Sequence, residues 1–200
     1  MIFLYGDSHA SFSFKNLPIP YKDYHQPSVT MFRIGRDNII INFNASEHDY
    51  SSILCFVYGE VDCRCHIQRQ INLGRNEDDV INELVETYIR TIKNNIKNYR
   101  NIVIVGVIPP TKKEEHEKIN GPVKHDFPFV GSDGDRVRFT RKVNKTLEEQ
   151  CFINRFVYFN PYDYYTRDDG TLKREMADIK VHLLKNAYFI ESFVDLLMRL

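Results

Sequence analysis

Asp7-Ser8-His9 stands just past the chain's first apolar run, Ile2-Phe3-Leu4-Tyr5, while Asp178 and His182 lie four residues apart near the far end. A serine hydroxyl attacks a carbonyl only once a base takes its proton, and an imidazole steadied by a carboxylate is such a base. Ser8, His182 and Asp178 are therefore the candidate nucleophile, base and orienting acid, with Asp168, Asp169 and Glu175 as alternative carboxylates. If residues 178 to 182 are helical, the four-residue offset puts the acid and the imidazole on one side; an extended segment separates them. A second polar cluster, Gly59-Glu60-Val61-Asp62-Cys63-Arg64, also follows an apolar run. Its two acids and guanidinium read as substrate-binding groups or as a salt-bridged loop. Arg64 is expected to line the crevice, because a planar guanidinium beside a strand tip needs a partner or a ligand.

Positioning these groups is the task of alternating strands and helices. Ile2 to Tyr5 reads as a strand buried on both faces of a parallel sheet. The crevice beyond the carboxyl ends of such strands is where open α/β sheets bind ligands. Gly6 allows a sharp turn there, and Ser8 then opens a helix. Val29 to Ile34 is expected to be a short strand ending in Gly35, and Ser51 to Gly59 a buried one. Asn76 caps a helix that begins with three acids, carries Val80, Ile81, Leu84, Val85, Tyr88, Ile89, Ile92 and Ile96 at helical spacing, and ends toward Lys93, Lys97 and Arg100. Asn101 to Ile108 follows as a strand beside the Gly59 strand, stopped by Pro109-Pro110. Residues 111–134 show little periodicity and are expected to form a loop over the active-site side. A helix over about 135–150, a strand over Arg155 to Phe159, a polar stretch delivering His182 and an amphipathic helix from Ala187 to Leu197 complete the pattern.

Gly6-Asp7-Ser8 resembles the first block of the SGNH hydrolases, also called the GDSL esterase/lipase family, with His9 where the motif has leucine. The resemblance extends along the chain. Gly35 is taken as the second-block glycine, and Gly59-Glu60-Val61-Asp62 resembles the Gly-x-Asn-Asp block with valine in place of asparagine. Asp178-Ile179-Lys180-Val181-His182 resembles the Asp-x-x-His block with one extra residue. The resemblance implies a three-layer α/β/α fold with a central, mainly parallel five-stranded sheet, akin to flavodoxin, in one domain over residues 1–200. It also implies cleavage or transfer of an ester-linked acyl group by Ser8, His182 and Asp178, without cofactor or metal. The backbone amides of Ser8 and Gly35 would hold the oxyanion, and Gly59, Glu60, Asp62, Arg64 and His9 would surround the substrate. Val61 cannot supply the family's third oxyanion donor: either two backbone donors suffice, or Arg64 or His66 reaches in, or Glu60 and Asp62 mark a changed site. A small acyl group on a carbohydrate or other small molecule is the expected substrate.

Other classes leave weaker signatures. The 200 residues are 42% hydrophobic and 13% aromatic, enough for one core, and formal net charge is zero, so no global field favours nucleic acid or an anionic membrane. The longest apolar run, Ile102 to Pro110, is too short to span a bilayer. No basic segment precedes the first strand, and a cytoplasmic protein is expected. Cys55, Cys63, Cys65 and Cys151 read as reduced thiols, since Cys63-Arg64-Cys65-His66 is half a zinc site without a second half. Asp7-x-His9 with a Gly59-to-Asp62 block also resembles the calcineurin-like metallophosphoesterases, whose later blocks have no counterpart here. A catalytically silent SGNH-like binding domain is the remaining alternative. His25, His48, His116 and His125 join no motif and are expected at the surface.

Overall fold

The computed structural model describes residues 1–96, 101–123 and 127–200. Five strands, β1 (Ile2–Gly6), β2 (Tyr21–His25), β3 (Ile53–Val57), β4 (Asn101–Val105) and β5 (Val157–Phe159), form one parallel sheet in the order β2-β1-β3-β4-β5. Side chains alternate between faces along each strand. Phe3, Tyr5, Leu54, Phe56, Ile102 and Ile104 enter one core, while Ile2, Leu4, Cys55, Val57, Val103 and Val105 enter the other.

Helices α2 (Met31–Asp37), α4 (Glu77–Asn95) and α6 (Asp133–Asn154) cover the first face through Met31, Ile34, Val85, Tyr88, Phe139 and Val143. Helices α1 (Ser8–Ser13) and α8 (Ala187–Leu197) cover the second, where Phe14, Phe189 and Phe193 meet edge to face. Burying a phenylalanine of this kind contributes roughly 2–3 kcal/mol. The remaining helices are α3 (Ile67–Asn72), α5 (Lys113–Asn120) and α7 (Tyr162–Tyr165). A single π turn over Asp62–His66 leads into α3. The α4 start is as its sequence dictates, with the Asn76 side chain accepting from the amides of Asp78 and Asp79. Ser132 and Asp135 cap α6 reciprocally.

Two expectations change. The second strand is Tyr21–His25, not Val29 to Ile34, and residues 31–37 form α2. Tyr21–His25 is an edge strand with exposed Lys22 and Asp23, so it lacks the apolar run of a central strand. Residues 111–134 are not one loop, because Lys113–Asn120 is helical. The other elements occupy their expected places, with β4 between β3 and β5 and α8 at Ala187–Leu197. Lys97, Arg100 and His125 lie outside the described residues.

Candidate active site

Ser8, His9, Glu60 and Arg64 converge on the carboxyl edge of β1 and β3. Gly6 ends β1 where a Cβ would stand 2.4 Å from Ala10 Cβ and 2.8 Å from the Val57 carbonyl oxygen, so only glycine lets α1 turn back this closely over β3. Asp7 caps α1 by accepting the His9 amide (2.9 Å), and Ser8 is the first helical residue. Gly59, at φ +118°, turns the chain after β3 and carries Glu60 and Arg64 toward the same edge.

The Asp178 to His182 segment is neither helical nor extended. It is a tight loop closed by the Ala177–Leu183 bridge and by an Asp178 N–H···O=C His182 hydrogen bond of 2.9 Å. Within it, Asp178 Oδ1 accepts the amides of Lys180 (2.7 Å) and His182 (3.0 Å), and Asp178 Oδ2 lies 2.8 Å from His182 Nδ1. His182 Nε2 is 2.9 Å from Ser8 Oγ, and its ring lies flat against Phe12 at 4.1 Å between centres. Hydroxyl, imidazole and carboxylate thus form one hydrogen-bonded line across 174 residues of sequence. Asp168, Asp169 and Glu175 are exposed and take no part, and Asp169 pairs with Lys112.

Burial opposes charge on His182, and the nearby His9 adds to this, so its imidazole titrates below the ordinary 6.5 despite Asp178. Burial works to raise the Asp178 carboxyl, yet the hydrogen bonds of His182 hold it below its ordinary value. The line therefore rests as serine, neutral imidazole and carboxylate near neutral pH.

Beneath it lies a buried ionic chain. His9 Nε2 is 3.3 Å from Glu60 Oε2, and Arg64 Nε is 3.1 Å from Glu60 Oε1, with all three residues at most 8% exposed. Burial works against charge on both His9 and Glu60. Contact with Glu60 and with Asp7 outweighs it and raises His9, while Arg64 and His9 bring Glu60 down to about 2. This pairing of Glu60 with His9 could not be read from the sequence, where they lie in separate motifs. Asp62 faces elsewhere. It is fully buried and accepts the amides of Met31 (2.9 Å) and Phe32 (3.2 Å), tying the turn after β3 to the start of α2, while burial pushes its carboxyl up to about 7.

Gly35 does not serve as an oxyanion donor here. It sits inside α2, where an amide past the first turn is taken by the carbonyl four residues earlier, and a Cβ there would meet Thr87 Oγ1 of α4 at 2.6 Å. Close helix packing explains the glycine. His66 also turns away from Ser8, into a groove between α2 and α4 where its ring meets Phe32.

A cleft of about 400 Å³ opens on Ser8 and His182. Arg64, His116, Asn120 and Lys180 give it polar walls, and Pro122, Val123 and Val181 an apolar strip. His116 is thus a buried lining residue, not a surface one, held against Phe129 by α5. Its signal was the helical spacing of residues 113–120 inside a segment whose charge masks it. Among the described residues, no group of three or more His, Cys, Asp and Glu side chains is arranged to hold a metal ion, and the four cysteines are free and buried. No described helix is long and apolar enough to cross a membrane.

Neither a family model nor a curated protein matches this sequence. Solved structures match over almost its whole length. A Streptococcus pneumonia protein named for platelet activating factor superposes with a TM-score of 0.65 at 15% identity, covering 98% of this chain and 83% of the other. A GDSL-like lipase from Bacteroides thetaiotaomicron gives 0.59 at 13% identity, with 98% and 85% covered. Phospholipase A1 from Streptomyces albidoflavus gives 0.54 at 10% identity, with 97% of each chain covered. The chain has the three-layer α/β/α fold of the SGNH hydrolases.

Proposed function

We propose that this protein is a divergent SGNH-type serine hydrolase that cleaves an ester-linked acyl group. The carrying observation is the unbroken line Asp178 Oδ2, His182 Nδ1, His182 Nε2, Ser8 Oγ, with contacts of 2.8 and 2.9 Å. The fold shared with lipases and a phospholipase adds support. Ser8 Oγ attacks the ester carbonyl carbon as its proton passes to His182 Nε2, and the carbonyl electron pair moves onto oxygen. Collapse of that tetrahedral anion breaks the bond to the alcohol, whose oxygen takes the proton back from His182. Water, or the hydroxyl of an acceptor, then releases the acyl group from Ser8 by the same steps in reverse. Asp178 orients the imidazole and stabilises its charged form. The apolar strip of Pro122, Val123 and Val181 is short, which suits a small acyl group, and the polar wall of Asn120, Lys180 and His116 suits a hydroxyl-rich alcohol such as a carbohydrate.

The test is labelling with a serine-directed fluorophosphonate, followed by peptide mapping, alongside turnover of short-chain aryl esters. Label is expected on Ser8, and Ser8→Ala is expected to abolish both labelling and turnover while leaving the thermal transition in place. Undiminished turnover by folded Ser8→Ala overturns the reading.

A further inference from the structure

An SGNH-type site that lacks the block-three asparagine, and whose candidate block-two glycine lies within a helix, is short of oxyanion donors. The Val61 side chain has no donor, and the described residues lining the cleft do not include it. We propose that Arg64 is the oxyanion donor, its guanidinium standing in for the missing amide, with Glu60 and His9 as positioning residues; the assignment rests on Ser8 being the nucleophile.

The placement follows from local geometry. Val61 has helical backbone angles (φ −62°, ψ −37°), so the residue three positions later falls on the same side one turn along. That residue is Arg64, and the π turn over Asp62–His66 resets the spacing around it; single π turns often mark functional sites. A long side chain from one turn further spans the distance a short amide would cover. Arg64 lines the cleft with Ser8 and His182. Its Nε is buried 3.1 Å from Glu60 Oε1 in an ion pair that lacks hydrogen-bond geometry, and neither Nη atom makes a hydrogen bond among the described residues. The outer end of the fork is therefore free for a ligand. The Phe129 ring, 5.6 Å from Arg64 Cζ, holds its plane.

Glu60 explains why such a cation tolerates burial. A charge taken from water is costly unless paired, and Glu60 is divided between Arg64 and His9, the residue beside the nucleophile. The guanidinium is thereby tied to the helix that carries Ser8. Donors already aimed at the forming charge, in a site shielded from water, need no reorganisation at the moment of reaction.

Arg64→Met and Arg64→Lys, checked for retained folding by thermal unfolding, test this with two probes. The first is 4-nitrophenyl acetate turnover. Arg64→Met is expected to lower kcat by about 10² to 10³ with KM changed less than about 3-fold, and Arg64→Lys, which keeps charge but loses the fork, to fall between. The second is benzeneboronic acid, which accepts Ser8 Oγ at boron as the serine proton moves to His182, giving a tetrahedral anion without turnover. Its affinity is expected to weaken by a comparable factor in Arg64→Met. A kcat within about 3-fold of the parent, or a raised KM with kcat and boronate affinity intact, overturns the assignment. If the parent protein neither turns over the ester nor takes the boronate, the Ser8 reading itself falls, and the Arg64 assignment with it.

Discussion

His9 and His182 stand 4.9 Å apart between ring centres and are pushed in opposite directions, His9 upward by Glu60 and Asp7 and His182 downward by burial and by His9. A base must be neutral to accept the Ser8 proton, so kcat/KM should rise with pH along a limb whose midpoint lies below 6.5 and stay flat above it. Groups facing His182 are Asp178 on its own loop, Ser8, His9 and Phe12 from α1, Glu60 and Arg64 from the turn after β3, and His116 across the cleft. Of these, His9 is the one whose charge lowers His182 most. His9→Gln removes that charge and should move the limb upward, read in pH–rate profiles and in an NMR titration of the His182 ring. An unmoved limb would mean that His9 only fills space. That Ser8, His182 and Asp178 meet was legible in the sequence, from a polar cluster at a strand tip and a late Asp/His pair. The ionic chain was not, since residue types carry no distances and Glu60 is 51 residues from His9.

Among elements, the contact of β1, α1 and β3 at Gly6 sets where Ser8 stands. Gly6→Ala pushes a methyl group into Ala10 and the Val57 carbonyl, and overpacking of this kind costs about 1–3 kcal/mol. The expected outcome is a lowered thermal midpoint together with slower fluorophosphonate labelling of Ser8, because α1 must tilt to make room. Loss of stability with labelling unchanged would show that β1 and α1 relax independently. The central strands and α4, α6 and α8 were legible from apolar runs and helical spacing. Residues 21–37 were not, for two physical reasons. Edge strand β2 is paired on one side only and keeps charged residues outward, so it lacks a strand's apolar signature. Around the start of α2, Val29, Met31 and Ile34 sit close enough to suggest a strand, while Thr30 caps a helix by accepting the Arg33 amide (3.1 Å), and Gly35 is there to admit Thr87.

At the scale of the whole molecule, five parallel strands direct their carboxyl ends to one edge, and chain segments from both termini meet there over Ser8. Asp7 and His9, the pair that resembles a metal-ligand motif, spend their side chains inside the protein, Asp7 on the His9 amide and His9 on Glu60. Ester turnover should therefore survive exhaustive dialysis against a chelator; loss that added manganese or zinc reverses would contradict a serine mechanism. The loop that carries Asp178 and His182 has a consequence of its own. The three hydrogen bonds accepted by the Asp178 side chain arise within five residues, so acid and imidazole form a cartridge aligned mainly from within, steadied from outside by Arg174 Nη1 on the Asp178 carbonyl (2.9 Å) and by the Phe12 ring flat against His182. A single hydrogen bond of 2.9 Å joins the cartridge to Ser8, beside the stacking of His182 on Phe12 of the same helix. A shift of the loop would act as a clutch, parting the imidazole from Ser8 while leaving the Asp178–His182 pair assembled.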